Sequence, residues 1–499
     1  MKLSRTICII AAGLVISSCS KFDWLLDFGY DNAISYDNMW QDEADVTSSV
    51  YGIYYRMRNC FVQDEINVFY WGEARVGSYM WGPGLDANST DAVKRAVVNS
   101  TMTGATGSCS WSALYTTIDQ ANQVLKYAPG VTMGTGKKEF ALGQALFARA
   151  YCYFWAARLW GDVPLVLVPI ESAHQDETYP VRTPVADVLA QVEKDITEAY
   201  KYVNNMGSDS YFGTPAALYA LKAEYALWMY STRHAGDDYL TMAEEALTHF
   251  TINSSLLLDN YGDVFSRTNK QNKEVIFALN NNQTEKLLGG YYFYFYHPST
   301  VVENKYRNNP VPLYKTQWWS YSQNFVDILQ ASKSTNGDKR VATNLGIGNY
   351  GKDDGRILSW PNKFLGEMTG TANVVLDCDL LYYRAAQIIM MDAEAKYYRH
   401  NYTGALASLN LIAKRAYGKA NFYTDASQDA VLEALVKEYF LEFPCEGVIW
   451  WALIRLDKIW EYNPDLAVRR VENPNILLWP LTNSAINKNN KLKQTEGWS

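Results

Sequence analysis

Helix-turn-helix units recur along this chain and constrain its fold more than any other feature of the sequence. Three such units are predicted near residues 139–160, 214–250 and 383–415. Their alanines fall where two helices would approach closely, and aromatic residues fill the space between them, as in tetratricopeptide repeats. Long insertions separate the units, so the chain lacks the strict period of about 34 residues that a pure repeat scaffold has.

Turn and cap residues set the predicted limits of these units. Gly161-Asp162-Val163-Pro164 ends the first helix and turns the chain. Thr214-Pro215 combines an N-cap threonine with proline at the first helical position. In the third unit, a helix over residues 383–398 is followed by a turn at Asn401-Tyr402 and a second helix.

The first 18 residues are predicted to be a lipoprotein signal peptide. Lys2 and Arg5 form a basic start, and an apolar stretch over residues 7–16 is too short to span a bilayer. The stretch ends at Ile16-Ser17-Ser18-Cys19, which resembles a bacterial lipobox. Acyl chains on Cys19 would anchor residues 19–499 to a membrane. A plain secretory signal with a chance cysteine is the alternative.

Charge and cysteine content exclude several protein classes. The formal net charge is -8 and no basic run occurs, so we expect no nucleic-acid partner. Beyond Cys8 and Cys19, five scattered cysteines remain, and this odd number predicts no disulfide framework. Tyrosines number 37 against 18 phenylalanines. Because a buried phenol needs a hydrogen-bond partner, some of these rings are expected at a partly solvated surface.

Several motifs follow one another along the chain, with the lipobox upstream. Residues 148–165 (ARAYCYFWAARLWGDVPL) contain a GDVPL turn, and residues 273–278 (KEVIFA) read as a strand. The first resembles the signature of the SusD/RagB family, and the second resembles the central strand of that family. Further matches to family motifs lie at 384–395, 401–410, 437–447, 478–481 and 489–494. Tyr439, Ile449 and Ala452 replace charged residues of the family pattern, which predicts a weakened charge network.

The resemblance implies a fold and a function. The expected fold is mainly α, with tetratricopeptide-like helix-turn-helix units packed with an irregular, loop-rich ligand-binding portion and few short strands. The insert-rich ligand surface is expected near residues 61–111 and 281–325. Such proteins are surface lipoproteins of the outer membrane that capture oligosaccharide or polysaccharide for a SusC-like TonB-dependent transporter. A peptide-binding member of the same family and a surface glycoside hydrolase are the alternatives.

Aromatic residues supply the candidate ligand contacts. In an extended strand, Tyr292, Tyr294 and Tyr296 would share one face, which could stack on sugar rings. Trp318 and Trp319 form a second candidate, one of them expected in the core. Trp71, Tyr79 and Trp81 form a third, beside a Gly/Pro loop where Glu73, Arg75, Asp86 and Asn88 would add polar contacts. An ordinary amphipathic strand or core packing would explain the same rings.

Catalytic and metal sites are not predicted. Glu438 and Glu442 lie four residues apart on one helical face, with Glu446 beyond, but these carboxylates fall in a structural motif of the family rather than across a substrate cleft. The five histidines are isolated, without zinc-ligand spacing. The run 86–91 is rich in oxygen ligands but lacks an EF-hand pattern, which leaves calcium as an open alternative. We predict no enzyme activity and no cofactor.

Overall fold

The computed structural model describes residues 39–81, 91–282, 284, 317, 319–349, 357–369, 373–375 and 377–498. Helices dominate this part of the chain, which confirms the mainly α prediction. In chain order they are α1 (Glu43–Gly72), α2 (Asp91–Val98), α3 (Ser112–Tyr127), α4 (Lys137–Trp160), α5 (Val185–Ala199), α6 (Pro215–Arg233), α7 (Asp237–Leu247), α8 (Gln323–Asn336), α9 (Val341–Asn344), α10 (Ala385–Tyr398), α11 (Tyr402–Tyr417), α12 (Gln428–Glu442), α13 (Ile449–Arg455), α14 (Ile459–Tyr462), α15 (Pro464–Arg469) and α16 (Asn483–Lys488).

The predicted N-cap at Thr214 and the predicted helix end at Gly161 both form, and Asn401, predicted as a turn residue, also caps the helix that follows it. The Thr214 side chain accepts a hydrogen bond from the Ala217 backbone N–H and so caps α6. Asn401 caps α11 in the same way, through the Gly404 N–H. Gly161, with a φ of 69°, ends α4 in a conformation that few other residues adopt.

Helix α4 is the centre of the molecule. Every residue from Gly143 to Trp160 is buried, so this helix is covered on all sides. It packs against α3 on one side and α5 on another, while α6 packs with α7 and α10 with α11. These pairs are the helix-turn-helix units, and one continuous hydrophobic core runs through them.

Short strands form two-stranded ladders rather than one large sheet. In chain order they are β1 (Tyr79–Trp81), β2 (Val275–Leu279), β3 (Trp319–Tyr321), β4 (Gly346–Asn349), β5 (Ile357–Trp360), β6 (Glu367–Thr369), β7 (Asn373–Val375) and β8 (Leu380–Arg384). The antiparallel pairs are β1–β3, β2–β8, β4–β5 and β6–β7.

One predicted helix start is wrong. Tyr383 and Arg384 belong to strand β8, not to the following helix, because they pair with Phe277 and Val275 of β2. Helix α10 therefore begins at Ala385.

Cysteines and tyrosines occupy the positions that their chemistry favours. Cys60, Cys109, Cys152, Cys378 and Cys445 are all buried. Some tyrosines lie at the surface, among them Tyr51 and Tyr55 on α1, and Tyr179. Within the described residues, no helix combines the length and apolar character needed to cross a membrane.

Candidate ligand-binding surface

The β1–β3 ladder joins the two insert-rich segments that the sequence analysis selected. Trp81 is the register partner of Trp319, and Tyr79 is the partner of Tyr321. The chain after Trp81 and the chain before Trp319 therefore start from adjacent points at one end of the ladder. Strands β1 and β3, more than 200 residues apart in sequence, thus join the two insert-rich regions.

Strand β5 lies beside β3 and extends this surface. The hydroxyl groups of Ser320 and Ser359 are 2.9 Å apart, and the Gln317 side-chain amide donates to the Ser359 carbonyl at 2.7 Å. Met80, in the middle of β1, is exposed. The described part of the candidate surface is consequently a small, hydrogen-bonded platform.

The rings beneath this platform are core residues, which corrects three predicted ligand contacts. Trp71, Tyr79 and Trp319 are 1%, 4% and 0% exposed. Trp319 packs against Phe69 and Tyr70 of α1, and the Trp71 indole N–H donates to the Ser108 carbonyl at 2.8 Å. All three rings are therefore buried in the core: Tyr79 and Trp319 are the inward-facing residues of β1 and β3, and Trp71 packs against Trp155 and Trp160 of α4.

Glu73 and Arg75 are buried as well and cannot supply the predicted polar contacts. Glu73 accepts hydrogen bonds from the Tyr79 hydroxyl and from the backbone N–H groups of Cys445 and Gly447. Burial outweighs these hydrogen bonds and raises the pKa of Glu73 to about 7. Arg75 donates to Ser100 and to the carbonyls of Ile476 and Leu477.

Of the remaining candidate ring contacts, only Trp81 belongs to an element of the described part of the chain. Trp81 ends strand β1. Tyr292, Tyr294, Tyr296 and Trp318 lie outside the described residues, as do Asp86 and Asn88. Among the residues that the structure describes, no three His, Cys, Asp or Glu side chains are grouped as metal ligands.

The three carboxylates weighed as a hydrolytic site are structural. Glu438 and Glu442 are fully buried and Glu446 is 6% exposed, and each is bound by arginine or lysine. Burial opposes ionisation of Glu442, but Arg415, Arg384 and Arg340 outweigh it and lower its pKa to about 2. A general acid needs a raised pKa and access to substrate, whereas Glu442 has a lowered pKa and is fully buried.

The same region shows that the charge network is not weakened, contrary to the prediction from the sequence. Tyr439 donates from its hydroxyl to Glu394 at 2.9 Å, and Arg455 binds Glu394 through Nε at 2.7 Å. Here a phenol serves in a buried ion-pair network where the family pattern suggested a charge. Ile449 and Ala452 are simply core residues of α13.

A cleft of about 440 Å³ lies between α3 and α16 and is lined by residues that the structure describes. Trp111, Tyr115, Val166 and Leu492 give it apolar walls, and Asp119 and Asn122 add polar groups. We call it the apolar cleft. No sequence signal pointed to this cleft, because its walls come from segments near residues 111–122, 164–180 and 482–492, none of which carries a recognisable ligand motif.

Family models and a sequence relative match this chain along its length. A family model described as "Starch-binding associating with outer membrane" matches residues 83–227, and the SusD family model matches residues 227–498. SusD-like protein P38 of Formosa agariphila is 23% identical over 519 aligned positions, covering 99% of this chain and 98% of that protein.

Solved structures show the same fold. A SusD superfamily protein from Bacteroides fragilis superposes with a TM-score of 0.78 at 23% identity, covering 92% of this chain and 100% of that one. A laminarin-binding SusD-like protein gives 0.72 at 20% identity, again with 92% and 100% coverage. Because the SusD family model alone spans more than half of the sequence, this chain belongs to the SusD family.

Proposed function

We propose that this protein is a non-catalytic, surface-exposed lipoprotein that captures oligosaccharide or polysaccharide and delivers it to a SusC-like TonB-dependent transporter. The description of one matching family model names starch binding and the outer membrane, and a structural neighbour binds laminarin. Cys19 would carry the lipid anchor. A tethered capture site would raise the glycan concentration beside the transporter.

The observation that carries the proposal is the Trp81–Trp319 register. It sets the end of β1, at Trp81, beside the start of β3. The chain before β3 carries Tyr292, Tyr294, Tyr296 and Trp318, which are half of the eight candidate ring contacts. We therefore place the ligand surface at this end of the ladder, with Tyr292, Tyr294, Tyr296, Trp318 and Trp81 as its ring contacts.

Binding would be reversible and would make or break no covalent bond. Aromatic rings cover the C–H faces of sugar rings, while tyrosine hydroxyls exchange hydrogen bonds with sugar hydroxyls. Buried Trp71, Tyr79 and Trp319 contribute by holding the platform rigid. Their truncation is expected to unfold the site rather than to remove a contact.

Calorimetry of the full-length protein in detergent against a panel of neutral polysaccharides tests the proposal. Tyr292→Ala, Tyr294→Ala and Trp318→Ala are the site variants. Tyr179→Ala is the matched control, because Tyr179 is 47% exposed and lies on another segment. Loss of binding in the site variants, with the control unchanged, supports the proposal.

Other outcomes point elsewhere. Binding that survives these substitutions but is lost in Trp111→Ala moves the site to the apolar cleft. Binding of oligopeptides in place of glycans identifies the peptide-binding alternative. Release of shorter sugars on long incubation overturns the non-catalytic assignment.

Transporter delivery needs a separate measurement. The lipoprotein, tagged at its C-terminus and solubilised from its native outer membrane, is expected to co-purify with one TonB-dependent barrel. Recovery of the lipoprotein alone, under detergent conditions that preserve its glycan binding, contradicts the delivery role without affecting the capture role.

A further inference from the structure

A second cleft, of about 680 Å³, is lined by more cationic than anionic side chains. It is formed where the end of α4 meets residues 181–189, the end of α6 and the C-terminal residues 491–496. Its charged side chains are five cations and two anions, namely Arg158, Arg182, Arg233, Lys491 and Lys493 against Asp162 and Glu496. We call it the basic cleft.

Arg182 brings an uncompensated charge to this cleft. Its guanidinium donates to the carbonyls of Asp162, Trp160 and Lys493 and to the Thr495 hydroxyl. These bonds use four of the five N–H donors that arginine has, so one is left for a ligand. No carboxylate in the described ranges forms a salt bridge with it, and burial lowers its pKa although Asp162 opposes this.

The other cations of the cleft also have charges or N–H donors that no described residue pairs. Arg233, Lys491 and Lys493 are exposed, and none of them has an ion-pair partner in the part of the chain that the structure describes. Arg158 binds Glu224 through Nη1 at 2.6 Å, but its buried Nε has no hydrogen-bond partner among those residues. With Arg158 neutralised by Glu224, four cations and two anions remain in the lining, so the cleft carries net positive charge.

Apolar residues form part of the same wall. Val181, Val185, Leu189, Trp228 and Leu478 line the cleft beside the cations. A bare phosphate or sulfate ion would leave this apolar surface uncovered. The cleft also lies within the range of about 300–1,000 Å³ that small-molecule sites occupy.

We propose that the basic cleft binds an anionic sugar, meaning a sugar that bears a carboxylate, sulfate or phosphate group. The anion would lie against Lys491, Lys493 and the free N–H of Arg182, and the sugar ring would cover the apolar wall. The site is separate from the proposed glycan surface, because no lining residue belongs to β1, β3 or β5.

Calorimetry of the full-length protein in detergent tests this site with glucuronate, glucose 6-sulfate and glucose 6-phosphate. Glucose and inorganic phosphate are the matched probes without the charge and without the sugar. Lys491→Gln/Lys493→Gln is expected to weaken binding of the anionic sugars roughly tenfold or more, since two nearby charges are lost. Lys333→Gln/Lys419→Gln is the control, because these lysines are exposed, line neither the basic cleft nor the apolar cleft, and remove the same charge.

The outcomes separate anion binding in the basic cleft from glycan binding beside the β1–β3 ladder. Anionic sugars that bind, lose affinity in the cleft variant and keep it in the control support the basic cleft, whatever the neutral polysaccharides do. Equal binding of glucose, equal binding of inorganic phosphate, no binding of any anionic sugar, or equal weakening in the control variant each overturns it. Thermal melting of both double variants is expected to match the wild type, because all four lysines are exposed.

Discussion

The Nη1 atom of Arg384 lies 2.8 Å from a carboxylate oxygen of Glu442, and both side chains are fully buried. Arg384 also binds Glu446 through Nε at 2.6 Å. Arg340 and Arg415 approach Glu442 from other elements. This network joins strand β8 to helix α12. It therefore fixes the β2–β8 ladder to the C-terminal helices.

Replacing Arg384 with leucine is expected to destabilise the fold by about 3–5 kcal/mol, because it leaves buried carboxylates without their partner. Arg399→Leu is the matched control, since Arg399 pairs with Glu244 at 2.9 Å but is 31% exposed. Exposed pairs contribute only about 0–1 kcal/mol. Denaturant unfolding followed by tryptophan fluorescence measures both variants. Equal losses in the two variants would contradict a structural role for the buried network.

Stability is expected to fall in acid as Glu442 becomes protonated. Its pKa is about 2 in the folded protein and 4.5 when unperturbed, because three arginines outweigh the effect of burial. A depressed pKa stabilises the fold above pH 4.5, and this stabilisation is lost as the pH falls from 4.5 towards 2. The shift corresponds to about 3 kcal/mol.

Unfolding free energies measured between pH 6 and pH 3 test this acid limb. Glu442→Gln should be less stable than the wild type at pH 6, and the difference should shrink as the pH falls. A difference that stays constant over this range would show that Glu442 is not the titrating group.

Tyr439→Phe is expected to cost about 1.5–3 kcal/mol, because it removes a hydrogen bond to the buried carboxylate of Glu394. Tyr397→Phe is a suitable control, since Tyr397 lies on neighbouring helix α10 and is only partly buried. Thermal melting of the two variants gives the comparison. If Tyr439→Phe melts with the wild type, Arg455 alone satisfies Glu394.

Local signals in the sequence predicted the helical units, and they failed where the contact was distant. Caps at Thr214 and Asn401 act within one helical turn, so they can be read from neighbouring residues. The helix predicted to start at Tyr383 instead begins at Ala385, because pairing with β2, more than 100 residues earlier, outweighs the helical pattern.

The candidate site shows the same limit. Trp71 and Trp319 stand beside loop residues in the sequence. Nothing local reveals that Trp71 packs against Trp155 and Trp160 of α4, or that Trp319 packs against Phe69 and Tyr70 of α1. The basic cleft is even less visible, since its cations come from residues 158, 182, 233, 491 and 493. Only the tertiary fold brings these charges together.

Gly72 marks the place where α1 meets the turn after α12, and its substitution is the sharpest test of that packing. A Cβ on Gly72 would lie 2.1 Å from the Gly447 carbonyl oxygen, and Gly447, with a φ of 71°, is itself held against Val68. Backbone atoms cannot move aside as a flexible side chain can, so Gly72→Ala is expected to cost about 1–3 kcal/mol or more. Gly130→Ala is the control, because nothing lies within 4 Å of its added Cβ.

Since Glu73 follows Gly72 and binds the Cys445 and Gly447 backbone, displacement of this turn would also disturb the platform that contains β1. Gly72→Ala should therefore weaken glycan binding as well as stability, while a variant as stable as Gly130→Ala would show that α1 and this turn do not pack so closely.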